Sequence, residues 1–263
     1  MKHIVLSLVV VAVLAACATT TSSTGRRQYV GAVSQDQLNQ LGAQAFTEAK
    51  QKGPLSNDGK QNAYVRCVVD ALVQQLPESQ RAIRWESAVF AEKEPNAFAL
   101  PGGKVGVNSG LFTVARNQDQ LAAVIGHEIG HVVERHHDER ITRQMGAAGA
   151  VQLLGALAGN YGQLASQGGG LLAQTGFLLP GSRAQESEAD VVGQRMMAQA
   201  GFDPRAAVGL WQNMMSAGGN RPPEWLSTHP DPQARIAELQ ARANQLLPVY
   251  EQARAAGRRP QCG

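Results

Sequence analysis

The chain has 263 residues, of which 43% are hydrophobic and 17% are charged, so its composition is that of a folded globular protein. This length allows one large domain or two small ones with a substantial core. The formal net charge of +3 is small, and Lys and Arg form no dense stripe, so the sequence gives no support to nucleic-acid binding.

Residues 1–16 are typical of a cleaved lipoprotein signal peptide. Their apolar run, residues 4–16, is shorter than the roughly 20 residues that cross a bilayer. It ends in Leu14-Ala15-Ala16-Cys17, which resembles the bacterial lipobox and makes Cys17 the expected lipidated first residue; an ordinary signal peptide cut near Ala16 is the alternative. Because Ala18 and not Asp follows, bacterial sorting rules favour the outer membrane, with the protein facing the periplasm.

The next segment, residues 17–33, is rich in Thr, Ser and Gly and predicts a flexible tether that joins the lipid anchor to a folded domain, residues 34–263. An exported protein meets an oxidising compartment, in which thiols pair. The two remaining cysteines therefore predict a Cys67–Cys262 disulfide that holds the C-terminal tail against an early helix. Two unpaired thiols are the alternative.

The first half of the domain predicts two helices followed by a small sheet. Helical patterns cover residues 35–51, capped by Ser34, and residues 57–76. Strand patterns follow at residues 85–90, 97–100 and 104–108, and the last two are joined by Pro101-Gly102-Gly103 into a β-hairpin.

This hairpin has a possible use in binding. An exposed edge strand can pair with an extended peptide through backbone hydrogen bonds that require no particular sequence. We therefore take Asn96, Gly102, Gly103 and Val105 as candidate substrate-binding residues. A purely structural hairpin is an equally good interpretation of this stretch.

The predicted helix over residues 118–135 contains His127-Glu128-Ile129-Gly130-His131. Residues four apart share one helix face, so His127 and His131 can bind one Zn²⁺ through two imidazole nitrogens. Glu128 lies one step round the helix, where it can reach a metal-bound water as a general base. The alternative is a chance match on a polar helix face.

A further helix is predicted from residue 138 or 139, and the segment 145–180 is rich in Gly, Ala, Leu and Gln. Its apolar runs are short and interrupted by polar residues, so a membrane span is not expected. We predict two helices joined by a mobile glycine loop, either a lid or partner-facing arm beside the cleft or a packed helical hairpin.

A catalytic zinc requires a third protein ligand, and two candidates exist. His137 has the spacing of a metzincin ligand, but Glu134 stands where metzincins use a glycine to turn the chain, and a continuing helix would place His137 off the metal face. Glu186 and Asp190 share a face of a helix predicted over residues 182–200. Glu186 can ligate the metal while Asp190 accepts the other ring N–H of a zinc histidine. Glu188 is expected to point to solvent, and an acidic helix N-terminus is the alternative reading of these carboxylates.

Together, H-E-x-x-H, the later E-x-x-A-D and Ser227-Thr228-His229-Pro230 resemble the gluzincin family of HtpX and the CAAX prenyl proteases, in particular its soluble periplasmic lipoprotein branch, that of LoiP and BepA. The resemblance covers residues 94–239. It implies a mostly α-helical α+β fold, with a zincin-like metalloprotease domain and a small antiparallel sheet beside the active-site helix. It also implies one Zn²⁺ per chain, with Glu186 as third ligand and Glu128 as base.

The same resemblance implies roles for His229 and Arg235. In family members these positions approach the zinc and are suited to stabilising the oxyanion of the transition state. In the BepA-like branch the matching histidine can also occupy the open zinc position and keep the enzyme latent. The sequence does not choose between these two roles.

The resemblance further implies an endopeptidase that hydrolyses misfolded or misassembled envelope proteins. CAAX processing is not expected, because the transmembrane helices of the membrane-embedded members are missing from this sequence. The competing hypothesis is a chaperone or assembly factor that works with the outer-membrane assembly machinery while its protease stays latent.

Overall fold

A computed structural model describes residues 18–157, 181–217, 224–229 and 232–263. The predicted lipidation site Cys17 lies outside this part of the chain, as do residues 158–180 of the Gly/Ala-rich segment. In the described residues the fold is mostly helical, as expected, with two small sheets where one was predicted. The strands are β1 Ala18–Thr21, β2 Arg27–Val30, β3 Glu86–Phe90, β4 Ala97–Leu100 and β5 Lys104–Asn108. The helices are α1 Gln35–Lys52, α2 Gly59–Val73, α3 Glu78–Arg81, α4 Gln118–Val133, α5 His136–Leu157, α6 Arg183–Ala200, α7 Ala206–Ala217, α8 Glu224–Thr228 and α9 Pro232–Ala255, with a 3-10 helix at Ser109–Thr113.

The larger sheet has the strand order β3-β5-β4. β4 and β5 form the predicted antiparallel hairpin, with Ala97 opposite Val107. β3 pairs with β5 in parallel, so the sheet is mixed. The second strand of the hairpin, β5, therefore lies between β3 and β4. β4 is left at one edge of the described sheet.

Helix α4 lies in the centre of the core. It is packed by α2, β4, α6 and α7, and every residue from Leu121 to His131 is buried. Asn117 caps its N-terminus by accepting a hydrogen bond from the backbone N–H of Gln120. The apolar residues before the H-E-x-x-H motif therefore pack into the core on all sides of the helix. Because the motif continues the same helix, its polar residues are buried too.

Two glycines allow α4 and α6 to touch through their backbones. A Cβ atom placed on Gly193 would lie 2.7 Å from the carbonyl carbon of Gly126 and from the backbone nitrogen of His127. No side chain fits between the helices at this point. Since His127 and His131 lie on α4 and Glu186 and Asp190 on α6, this close crossing brings the two motifs together.

The turn after α4 differs from the prediction. α4 ends at Val133, two residues before the expected end, and Arg135 adopts a left-handed conformation with φ 55°. α5 then begins at His136. His136 and His137 therefore belong to the N-terminus of a new helix. A left-handed arginine has no signature in the sequence, because glycine or asparagine usually fills such a position.

Residues 18–30 are not the flexible tether that their composition predicts. β1 and β2 form an antiparallel hairpin that pairs Ala18 with Val30 and Thr21 with Arg27. Hydrogen bonds attach it to the α4–α5 turn: the Gln28 side chain donates to the carbonyl oxygen of Glu134 at 2.6 Å, and Glu134 Oε2 accepts from the backbone N–H of Ser23 at 2.9 Å. These tertiary partners outweigh the intrinsic flexibility of the segment.

The predicted Cys67–Cys262 disulfide is present. It joins α2 to the C-terminal tail over a sequence separation of 195. Gln118, the first residue of α4, extends the attachment: its amide donates to the carbonyl oxygen of Pro260 and accepts from the backbone N–H of Cys262, each at 2.9 Å. The tail is thereby fixed to the start of the central helix.

Among the described residues, no helix combines the length and the apolar character that crossing a bilayer requires.

Candidate metal centre

The histidines His127 and His131 lie on one face of α4 with their rings edge to face. Both side chains are buried, and their Nε2 atoms are 3.1 Å apart. Each Nδ1 atom is engaged elsewhere, His127 with Asp190 and His131 with His136. The two Nε2 atoms therefore converge on one point, which we call the metal point.

Glu186 reaches the same point from α6. Ser182 and Gln185 form a capping box that fixes the first turn of this helix, and Glu186 is its next residue. Its Oε2 lies 3.4 Å from His127 Nε2, and its Oε1 lies 3.5 Å from His131 Nε2. Ligand atoms of His127, His131, Glu186 and His229 all lie within 4.8 Å of one another.

These residues fit a metal ion. Glu186 Oε1 is buried and receives no hydrogen bond from any described residue, which is costly for a carboxylate unless a cation satisfies it. Burial and the neighbouring His127 hold the pKa of His131 well below its usual value, so its ring is neutral and one ring nitrogen has a lone pair for a metal. Two imidazoles and one carboxylate suit a divalent transition metal. The ligand atoms therefore indicate that a metal ion binds here, but they do not by themselves identify the metal.

Asp190 lies where the sequence predicts it. Its Oδ1 is 2.9 Å from His127 Nδ1, so the ring donates its N–H to this carboxylate and directs Nε2 to the metal point. Burial lowers the pKa of His127, but Asp190 and Glu186 outweigh burial and raise it to about 9. A metal ion must therefore displace a proton from His127 near neutral pH.

Arg235 holds the carboxylates in place. Its Nε donates to Asp190 Oδ2 at 2.7 Å, its Nη2 to Asp190 Oδ1 at 2.6 Å, and its Nη1 to Glu186 Oε2 at 2.9 Å. The guanidinium also packs on the ring of Trp211, 4.1 Å from its centroid. Three of its five N–H donors are bonded to these carboxylates, so Arg235 positions Asp190 and Glu186 in this structure. The oxyanion role that the family resemblance implies stays a prediction.

Glu128 projects from α4 beside the two histidines. Its Oε1 accepts a hydrogen bond from the indole N–H of Trp225 at 2.9 Å and lies 3.3 Å from His229 Nε2. Trp225 is fully buried and stacks on the ring of His229. The sequence analysis missed Trp225, and its only signal is its place four residues before His229.

His229 is turned towards the metal point. Its Nδ1 donates to the carbonyl oxygen of Trp225 at 2.8 Å, which leaves Nε2 with its lone pair facing the other ligand atoms. Burial lowers the pKa of His229, so the ring is neutral. A lone pair can bind a metal but cannot donate to an oxyanion. With His127, His131 and Glu186 it therefore forms a group of four side chains that could bind one metal ion.

Two further residues, His136 and Glu188, lie behind His131. His136 is buried, with its Nδ1 2.8 Å from His131 Nδ1 and its Nε2 3.0 Å from Glu188 Oε2. Glu188, expected in solvent, is buried. His137 is buried as well but does not belong to the group of ligand atoms.

The predicted substrate-binding residues have mainly structural positions. Val105 is fully buried in the core, so it cannot contact a peptide. Gly102 and Gly103 have φ of 79° and 71° and form the turn of the hairpin, where a Cβ on Gly103 would press against Trp85. Asn96 precedes β4 and accepts a backbone hydrogen bond from Asn108. Of the four, Asn96 alone stays a candidate, at the start of the edge strand.

This site has the arrangement of an H-E-x-x-H metallopeptidase. One helix carries two histidines four residues apart with a glutamate between them, and a second helix supplies a glutamate ligand. The family model described as Peptidase family M48 matches residues 59–243. The chain belongs to this family.

Similar proteins include two named peptidases. The chain is 41% identical over 160 residues to "Mitochondrial metalloendopeptidase OMA1" of Schizosaccharomyces pombe, which covers 60% of this chain and 46% of that protein. It is 32% identical over 222 residues to "Beta-barrel assembly-enhancing protease" of Escherichia coli, which covers 81% of this chain and 45% of that protein. The chain spans about half the length of the curated relatives it matches.

Proposed function

We propose that this protein is a zinc-dependent metalloendopeptidase of family M48 that hydrolyses peptide bonds in misfolded or misassembled proteins of the bacterial envelope. The convergence of His127, His131 and Glu186 at one buried point carries this proposal. Two histidines and a glutamate form the ligand set of several catalytic zinc sites, which favours zinc over other divalent ions.

The metal would be held by His127, His131 and Glu186, and it would supply an acidified water and polarisation of the scissile carbonyl. Glu128 is placed to take a proton from the attacking water on its carboxylate and to pass this proton to the leaving amine. Arg235 and Asp190 keep Glu186 and His127 in position. A substrate chain can pair with the backbone of the edge strand β4, which explains how unrelated sequences would be accepted.

The experiment that tests the catalytic proposal replaces the base. Glu128→Gln should retain zinc, measured by metal analysis after dialysis, and lose hydrolysis of an unfolded protein such as casein by about 10²–10⁴-fold. Glu48→Gln on the exposed face of α1 is the control and should match the wild type. Unchanged hydrolysis in Glu128→Gln would refute the mechanism.

The envelope as the working place rests on the N-terminal sequence and on one relative. The signal-peptide pattern with Cys17 favours a lipid anchor in the outer membrane facing the periplasm. The Escherichia coli relative is named for enhancing β-barrel assembly. Mass spectrometry of the membrane fraction for an acylated Cys17 tests the anchor, and a mature N-terminus without lipid would contradict it.

A second candidate function is supported by the position of His229. A chaperone or assembly factor for outer-membrane proteins would need the protease to be silent, and a fourth protein ligand at the metal point would silence it. Raised casein hydrolysis in His229→Ala supports the latent form, whereas lost hydrolysis supports a catalytic donor. Rescue of a deletion strain by Glu128→Gln would show that assembly does not need proteolysis.

A further inference from the structure

The two histidines on α4 are oriented in different ways. His127 donates directly to a carboxylate, that of Asp190. His131 instead meets a second imidazole, His136, whose Nδ1 lies 2.8 Å from His131 Nδ1. His136 is completely buried. A buried histidine that is in contact with a ligand histidine and is not a ligand itself needs a reason.

The hydrogen positions in this contact follow from the ligand geometry. With His131 Nε2 turned to the metal point, its proton lies on Nδ1 and is donated to His136 Nδ1. His136 then carries its own proton on Nε2, which is 3.0 Å from Glu188 Oε2 and donates to it. The chain His131–His136–Glu188 therefore has one consistent arrangement of protons.

Glu188 is the fixed end of this chain. Ser22 Oγ and Thr24 Oγ1 donate to its Oε1, and Arg26 Nε donates to its Oε2 at 2.8 Å. With the bond from His136 Nε2, four donors converge on the two oxygens of this carboxylate, one of them the Arg26 guanidinium. An ionised carboxylate accepts only, so it orients every one of these donors.

All three hairpin donors come from the turn between β1 and β2. Arg26 also forms a bidentate pair with Glu139 of α5, with Nη1 and Nη2 at 2.9 and 2.7 Å from the two carboxylate oxygens. Through Ser22, Thr24 and Arg26, the hairpin is attached to Glu188, which also accepts the hydrogen bond from His136. Both ligand histidines are backed by a chain that ends in an arginine, Arg235 on one side and Arg26 on the other.

We propose that His136 and Glu188 are positioning residues that fix the tautomer and ring orientation of His131, and that the β1–β2 hairpin is a working part of the metal centre through Ser22, Thr24 and Arg26. This inference rests on the proposed metal centre. It assigns a function to the N-terminal hairpin and to the glutamate in the middle of the E-x-x-A-D motif.

The experiment measures metal affinity in the full mature chain. Metal-free protein is titrated with Zn²⁺ against a chromophoric chelator. Glu188→Gln, which keeps the size of the side chain, and His136→Phe should each weaken zinc binding by about 10–100-fold, the usual effect of losing an outer partner of a ligand. His136→Asn should recover part of this loss, because its amide oxygen can replace Nδ1 as the acceptor for His131.

A matched control separates orientation from attachment of the hairpin. Glu134→Gln weakens a second contact to the same hairpin, the hydrogen bond from Ser23 N–H to Glu134 Oε2, but leaves the His136–Glu188 chain intact. It should bind zinc within about threefold of the wild type, well short of the effect of losing an outer ligand partner. With Co²⁺ in place of zinc, Glu188→Gln and His136→Phe should change the visible absorption spectrum and Glu134→Gln should not.

The outcomes are distinguishable. If the wild type does not compete with the chelator for zinc, the metal centre itself is wrong. If the wild type binds zinc and Glu188→Gln and His136→Phe bind it equally well, the positioning chain alone is refuted. Equal weakening in Glu134→Gln and Glu188→Gln would also refute it, since the effect would then come from general attachment of the hairpin.

Discussion

The indole N–H of Trp225 donates to Glu128 Oε1 at 2.9 Å. The ring of the same tryptophan stacks on His229, whose Nδ1 donates to the carbonyl oxygen of Trp225. Trp225 on the short helix α8 therefore contacts both the proposed base and His229. A displacement of Trp225 would therefore affect the surroundings of Glu128 and of His229 together.

Replacement of Trp225 should loosen the proposed latent form, in which His229 is a fourth ligand. Trp225→Phe keeps an aromatic ring against His229 but removes the hydrogen bond to Glu128, which is worth about 0.5–1.5 kcal/mol. The latent form loses this amount, so casein hydrolysis should rise by up to about tenfold while zinc content stays unchanged. A fall in kcat at constant zinc content would instead show that Trp225 orients the base for catalysis.

Because Gly126 and Gly193 are in close contact, the crossing of α4 and α6 should not tolerate a larger side chain at Gly193. Gly193→Ala places a methyl group 2.7 Å from two backbone atoms, so the helices must move apart. We expect a loss of about 1–3 kcal/mol in unfolding free energy and weaker zinc binding, measured by urea denaturation and chelator competition. Gly59→Ala, where the added methyl meets nothing within 4 Å, should cause neither loss.

Replacement of Arg235 tests whether this residue holds Asp190 and Glu186 in position or instead serves to stabilise the oxyanion. Arg235→Leu leaves Asp190 and Glu186 as buried carboxylates without their partner, which should cost about 3–5 kcal/mol in the unfolding free energy of the metal-free protein. The control is Arg205→Leu, because Arg205 pairs with Asp203 at the surface and should contribute at most about 1 kcal/mol. Equal stability of Arg235→Leu and the wild type would remove the positioning role.

Glu139 should make stability depend on pH in the acid range. Burial raises its pKa, but hydrogen bonds from Arg26 and Gln185 outweigh burial and lower the pKa below its ordinary value of 4.5. Because the folded pKa is the lower one, the stabilisation is present above about pH 4.5 and is lost as the pH falls through the folded pKa. Thermal unfolding of metal-free Glu139→Gln should therefore show a deficit at pH 7 that shrinks at low pH. A deficit of constant size at all pH values would contradict this assignment.

The sequence predicts the ligand face of this site because helical spacing alone determines it. His127 and His131, and likewise Glu186 and Asp190, are four residues apart, and this spacing remains valid wherever the helices pack. The sheet hairpin was equally predictable from Pro101-Gly102-Gly103. These features depend on local geometry, which a sequence expresses directly.

The parts that the sequence did not reveal depend on tertiary contacts. Glu188 lies on the side of α6 away from Glu186, which is a solvent position unless another segment covers it, and the β1–β2 hairpin covers it. His136 reaches His131 only because Arg135 turns the chain in a left-handed conformation. Neither the burial of Glu188 nor the contact of His136 with His131 is marked in the sequence by a periodic pattern or a glycine, so arguments from residue spacing could not predict them.

The folded state of residues 18–30 also determines how far the metal centre can work from an anchor. A free chain over residues 18–33 would extend about 50–60 Å at 3.3–3.6 Å per residue. Drawn into β1 and β2 and hydrogen-bonded to Glu134 and Glu188, it has little length to spare. If Cys17 carries the proposed lipid, the metal centre would therefore be held close to the bilayer surface and would reach only a short distance from it.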